Sequence, residues 1–167
     1  MEKRRSIYLD HNATTPLHPE VLEAMLPFMG GVYGNPSSIH TLGQEARQGL
    51  EEAREKVAKL IGASPAEIVF TSGGTEADNL AIQGVAFFYR KKGKHIITSS
   101  VEHQAVLRTC QYLEEEGFRV TYLRVDRFGE IDPDDLKRAI TPATILITLM
   151  HSNNEVGTIE PIEEVGK

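Results

Sequence analysis

Two hydrophobic periods alternate along this chain. Short runs of β-branched and aromatic residues, Ile68-Val69-Phe70, Ile96-Ile97-Thr98, Val120 to Val125 and Thr144 to Met150, read as strands of a buried sheet. Between them the apolar positions move to helical spacing. Leu42, Ala46, Leu50, Ala53, Val57 and Leu60 predict a long amphipathic helix ending at Gly62. Ala77, Leu80, Ala81, Gly84, Val85 and Phe88 predict the buried stripe of another. Further helices are expected over Pro19 to Met29, with Pro19 in the first turn, over Glu102 to Glu116, stopped by Gly117, and over Pro133 to Ile140. Tyr8-Leu9-Asp10 reads as a short extended piece and Gly30 to Ser38 as a loop. Strand–helix alternation with short links predicts an α/β fold, a mostly parallel sheet with helices on both faces. Ile162-Glu163-Glu164-Val165 begins a helix that Lys167 ends almost at once. A parallel sheet needs cover on both faces, so the expectation is a domain incomplete at its C-terminus, as in a fragment or one half of a split protein.

Composition narrows the class. With 167 residues, 40% hydrophobic and 25% charged, the chain has the make-up of a globular protein with its own core. No apolar run approaches a membrane span, and Met1-Glu2-Lys3-Arg4-Arg5 leads into a strand-like segment rather than a signal-peptide core, so a cytoplasmic protein is expected. A net charge of −6 argues against a nucleic-acid surface. Arg90, Lys91, Lys92 and Lys94 form a short basic cluster at a helix end, where cations are favoured. Cys110, the single cysteine, excludes an internal disulfide or multi-cysteine metal site and reads as a small core residue.

The chemistry concentrates where predicted strands run out. After Ile68–Phe70 comes Thr71-Ser72-Gly73-Gly74-Thr75-Glu76, then a helix. A glycine turn entering a helix aims backbone N–H groups and a positive dipole end at one place, which suits a phosphate, and the hydroxyls of Thr71, Ser72 and Thr75 add donors. An ordinary capped turn has the same composition, and the residues of this stretch leave both readings open. Ser99-Ser100-Val101-Glu102-His103 and His151-Ser152-Asn153-Asn154-Glu155-Val156-Gly157 follow two further strands. Ligands in parallel α/β sheets gather at such carboxyl ends, so Gly74-Thr75, His103 and Asn154 are candidates for one pocket. Taken singly, His103 also reads as a locally bonded helix start, and Asn153-Asn154 as a turn or cap.

Five blocks together carry a resemblance. Tyr8 to Pro16 (YLDHNATTP), Gly34-Asn35-Pro36-Ser37-Ser38, Ser72 to Asn79 (SGGTEADN), Glu102-His103 and Asn153-Asn154-Glu155-Val156-Gly157 occur in that order. Together they strongly resemble the N-terminal part of the cysteine desulfurases, pyridoxal-phosphate enzymes of the class V aminotransferase group. The resemblance implies the large-domain fold of pyridoxal-phosphate-dependent transferases, with residues 1–40 as arm, first helix and active-site loop, and 41–167 as an incomplete cofactor-binding α/β domain. It implies that Gly74 and Thr75 bind the phosphate of pyridoxal 5'-phosphate, and that His103 stacks on the pyridine ring and moves protons. It further implies that Asn154 lies near the phenolic oxygen, and that Asn35 meets the carboxylate of the L-cysteine substrate.

The implied reaction removes sulfur from L-cysteine, giving alanine and an enzyme persulfide that feeds iron–sulfur cluster assembly. Homodimerisation or a complementary C-terminal chain, and an iron–sulfur scaffold protein, are the implied partners. The alternatives are a selenocysteine lyase-like enzyme of the same fold, or a non-catalytic phosphate-binding or partner-binding fragment. The family's Schiff-base lysine, in a Ser-x-His-Lys type motif, its Asp-x-x-Gln type motif and its nucleophilic cysteine have no match in these residues. Lys94 and Cys110 do not substitute for them. This chain alone is therefore expected to be inactive.

Overall fold

The structure, a computed structural model, describes residues 7–166. The expected lead-in from Met1 to Arg5 and the terminal Lys167 lie outside the described residues. The chain divides into two compact units, Met1–Phe70 and Thr71–Lys167.

The first unit is helical. Helix α1, Pro19–Gly30, starts on Pro19, whose fixed φ suits a first turn and whose missing N–H costs nothing there. Helix α2, Thr41–Ile61, is capped by His40, whose Nδ1 accepts from the Gly43 N–H at 3.3 Å, and ends at Gly62. Ser64 and Glu67 then bond reciprocally around a single 3-10 turn, Pro65–Glu67. The expected strand at Ile68–Phe70 is absent. A strand exists through a partner's ladder, and Ile68 has its carbonyl taken by the Arg54 Nη1 of α2 at 2.6 Å instead, with the Arg54 guanidinium 5.0 Å over the Phe70 ring. Val69 and Phe70 are exposed rather than core.

The second unit is the α/β body. Helix α3 spans Gly74–Tyr89, strand β1 His95–Ser99, helix α4 Gln104–Glu115 and strand β2 Arg119–Leu123. Helix α5 follows over Pro133–Ala139, then strand β3 over Thr144–Thr148 and a short α6 over Ile162–Val165. The three strands form one parallel sheet in the order β2-β1-β3. Central β1 is buried at every residue, whereas β3 at the edge is only half-buried along its length. The β1–β3 register shifts between His95, opposite Thr144, and Ile96, opposite Leu146, which makes Ile145 an inserted residue.

Successive residues of β1 face opposite layers. Ile96 packs with Ile82 and Ala86 of α3, with Val106, Cys110 and Leu113 of α4, and with Phe118. Ile97 packs with Leu123, Ile131 and Leu136 on the other side, where Val165 of α6 also lies. Helices thus cover both faces, as the alternation predicts. The buried stripe of α3 differs from the expected one. Ile82 and Ala86 point inward, and Leu80 and Phe88 are exposed. This helix is apolar around most of its circumference, so packing rather than periodicity selects the face. Helix α4 ends as expected: Gly117, at φ 84°, occupies the left-handed region, and the Phe118 N–H reaches back to the Leu113 carbonyl at 2.9 Å.

Candidate functional site at the strand ends

Helix α3 begins after Gly73, whose backbone is fully extended, and its first intrahelical bond runs from the Ala77 N–H to the Gly73 carbonyl at 3.1 Å. The N–H groups of Gly74, Thr75 and Glu76 therefore precede the helical ladder and project at the helix mouth. A Cβ built on Gly73 or Gly74 would meet nothing within 4 Å, so the space before that mouth is open. Ser72 donates its N–H and hydroxyl to Glu76 Oε2 at 2.6 and 2.7 Å, which pins the turn. These bonds, the hydroxyl's first, hold the Glu76 carboxyl below its ordinary pKa. The exposed Thr75 has its carbonyl held by Asn79 Nδ2 at 2.8 Å. Asn79 Oδ1 in turn accepts from the Thr109 hydroxyl of α4 at 2.7 Å. One asparagine thus ties the first turn of α3 to the middle of α4.

The ends of β1 and β3 are laced together. Glu102 is 6% exposed, and its Oε1 accepts from the Ser99 hydroxyl and from the Met150 N–H, both at 2.9 Å. Burial is the main cause that raises its pKa; those two bonds oppose the rise, and the nearby acids Glu160 and Asp78 add to it. Asn153, also buried, donates Nδ2 to the Val101 carbonyl at 3.1 Å and accepts from the Glu155 and Val156 N–H groups at 2.9 and 3.0 Å. The loop carrying Asn154 is therefore shaped by its neighbour. Asn154 is exposed and donates Nδ2 to Glu155 Oε1 at 3.0 Å.

His103 is the N-cap of α4, its Nδ1 accepting from the Ala105 N–H at 3.1 Å. In the neutral ring this leaves the proton on Nε2, and the ring is exposed. The expected helix start at Glu102 is thus corrected to Gln104. The histidine takes the cap, and the glutamate side chain is recruited to the sheet end.

The three polar clusters read from the sequence belong to this unit; hydrogen bonds join the second and third, and the first is tied to α4 only through its helix. Asn79–Thr109 links α3 with α4, while Glu102–Met150 and Asn153–Val101 link the His103 loop with the Asn154 loop. A cavity of about 640 Å³ also opens at the strand ends, lined by Val101, Phe128, Asn153 and Val156 among others, but not by Gly74, Thr75, His103 or Asn154. Asn35 belongs to the first unit, where its Oδ1 accepts from the Ser37 N–H at 2.9 Å and its carbonyl from the Ser38 N–H at 2.9 Å. A Cβ on Gly43 would collide with that carbonyl, so the start of α2 can close on this loop only through a glycine. Glu102, Asn153, Asn79 and Thr109 are the residues that sequence reasoning missed as site builders. The first three lie inside the quoted motifs, but nothing in their spacing marks which partner each would take.

Comparison with known proteins gives the family. The profile described as Aminotransferase class-V matches residues 7–167. The chain belongs to this family. Within it, the chain is 63% identical over 164 residues to a protein named cysteine desulfurase IscS from Dictyoglomus turgidum, covering 98% of this chain and 42% of that protein. It is 55% identical to the protein of the same name from Methanosarcina thermophila, covering 99% of this chain and 41% of the other. A solved structure described as a NifS-like protein superposes with a TM-score of 0.92 at 46% identity, covering 96% of this chain and 44% of that one. The chain therefore spans less than half the length of the family members it matches. The fold and the family resemblance read from the five motif blocks both stand.

Proposed function

We propose that this chain supplies the phosphate cup and the ring-facing residues of a pyridoxal-phosphate-dependent cysteine desulfurase. The observation that supports the reading is the glycine-entered start of α3, whose first N–H groups precede the helical ladder and where a Cβ on Gly73 or Gly74 would meet nothing within 4 Å. Pyridoxal phosphate, when bound, supplies an electron sink for the bonds at the substrate's α-carbon.

In this reading the N–H groups of Gly74 and Thr75 and the Thr75 hydroxyl hold the phosphate. His103 presents its ring to the cofactor and holds or moves a proton at Nε2, with Nδ1 engaged by the Ala105 N–H. The Asn154 amide orients the cofactor's phenolic oxygen, and the Asn35 amide meets the substrate carboxylate. Cys110 takes no part as nucleophile. It is fully buried, and burial first, then the charges of Glu114 and Glu102, push its thiol to about 11.

The overall reaction is release of sulfur from L-cysteine as an enzyme persulfide for iron–sulfur cluster assembly, with alanine as co-product, in the cytoplasm. The family's lysine, aspartate and nucleophilic cysteine have no match in these 167 residues, so turnover needs a complementary C-terminal desulfurase part, and the complete enzyme is a homodimer. A test compares binding of pyridoxal phosphate and of pyridoxal to the protein, followed by absorbance and fluorescence. Thr75→Ala is expected to weaken the phosphorylated form alone by about 1–3 kcal/mol, the loss of a hydrogen bond to a charged group. Equal affinity for both forms before and after the substitution would refute the cup. Alanine formation from L-cysteine is expected only when a complementary C-terminal desulfurase chain is added.

A further inference from the structure

The two loops that carry His103 and Asn154 meet at one buried carboxyl group. Glu102 reaches out of the β1 end and places a single oxygen between the Ser99 hydroxyl and the Met150 N–H, across 48 positions of chain. Met150 lies at the exit of β3, four residues before Asn154, and Glu102 directly precedes His103. Asn153 closes a second link over the same gap, to the Val101 carbonyl.

We propose that Glu102 is a positioning residue that locks the His103 loop to the Asn154 loop, so that the two cofactor-facing side chains keep one fixed relation. The significance for catalysis rests on the desulfurase reading, whereas the lock itself is a property of the fold.

Stability alone does not explain a carboxyl group at this place. Glu102 is buried, its electrostatic neighbours Glu160 and Asp78 are both acidic, and its pKa is accordingly raised. Burying an ionised group among like charges costs stability. What the carboxyl adds is reach and a strong acceptor with two lone pairs, able to take a hydroxyl from its own loop and a backbone N–H from the other. A shorter or apolar side chain takes the acceptor from the Met150 N–H and loosens the β3 exit from the start of α4, with the Asn153–Val101 bond still in place. Glutamine keeps the acceptor oxygen at the same reach and removes the charge.

Hydrogen exchange of the whole 167-residue chain without cofactor reads the lock directly. Glu102→Ala is expected to speed exchange at Met150 and along 99–105 and 150–156 by about tenfold, with β2 and α5 unchanged. Glu102→Gln is expected to restore the wild-type pattern. Should the alanine variant fail to fold, Glu102→Asp, which withdraws the oxygen by one methylene, is expected to loosen the same two segments. Exchange that rises uniformly through the sheet, or rises in only one loop, would overturn the proposal. The functional arm titrates pyridoxal phosphate into the same proteins: affinity should fall about tenfold in the alanine or aspartate variant and recover in the glutamine variant. Loosened loops with unchanged affinity would reject the positioning role. Failure of the unsubstituted chain to bind pyridoxal phosphate would instead reject the desulfurase reading and leave the exchange result to judge the lock.

Discussion

His95 sits at the opposite end of β1 from the candidate site, 1% exposed, with Nδ1 2.7 Å from the Thr144 hydroxyl and Nε2 2.8 Å from the Thr121 hydroxyl. One imidazole so bridges all three strands, and each hydroxyl can serve whichever role the tautomer requires. Burial first, and the Arg119 charge second, hold its pKa below the ordinary 6.5. The unfolded chain therefore takes up a proton near pH 6.5 that the folded chain resists, and stability falls as pH drops below that value. Glu102 has the opposite sign. Its raised pKa gives stability that is full below about 4.5 and lost as pH rises through its folded value. The difference between wild type and His95→Gln isolates the histidine: urea midpoints from pH 7.5 to 5.0 should slope downward more steeply in the wild type. Parallel slopes would reject the assignment. At this scale the sequence singles out Gly74, Thr75, His103 and Asn154 as candidates, because each stands in a local motif. It hides Glu102 and Asn153, because their roles consist of bonds across 48 and 52 residues.

Among the elements, β1 is legible because a central parallel strand is buried on both faces, and the half-buried edges β2 and β3 because their β-branched and aromatic residues still cluster. Ile68–Phe70 has the same composition and forms no strand, since a ladder needs a partner, and among the described residues none pairs with it. The buried stripe of α3 departs from the periodic expectation for a related reason. A helix with apolar residues on most sides leaves the choice between the Ile82–Ala86 face and the Leu80–Phe88 face to packing. Glycine-ended C-termini are more local and legible, as at Gly62 and Gly117, whereas the α4 start moves from Glu102 to Gln104. Gly117 ends α4 at φ 84°, so Gly117→Ala should cost roughly 1–2 kcal/mol, the penalty for a Cβ in left-handed backbone. Chemical denaturation with an unchanged m-value and a lowered midpoint would bear this out, and no shift would contradict it.

At the level of the whole molecule, the described residues leave many large apolar side chains in solvent. Leu26, Phe28 and Met29 of α1 are more than half exposed, as are Leu80 and Phe88 of α3, and Ile39 reaches 92% and Leu60 85%. Exposed apolar surface of this kind drives association. A net charge of −6 on 167 residues is a modest repulsive counterweight. Among the described residues no helix is long and apolar enough to cross a membrane. Sedimentation at micromolar concentration is therefore expected to show species heavier than the 18.5 kDa chain, and a complementary desulfurase polypeptide should suppress that self-association. A single boundary at the chain mass would rule this out.

The burial of Cys110 also turns the α/β unit into its own clock. The thiol is fully covered beneath α4, in the cluster that holds α3, α4 and β1 together. No alkylating reagent reaches it until that layer parts. When reclosing is faster than alkylation, the labelling rate divided by that of a free thiol gives the equilibrium constant for opening, with no engineered probe. Slower labelling in the presence of pyridoxal phosphate would then measure, in the same units, how far a ligand at the helix mouths holds the layers shut.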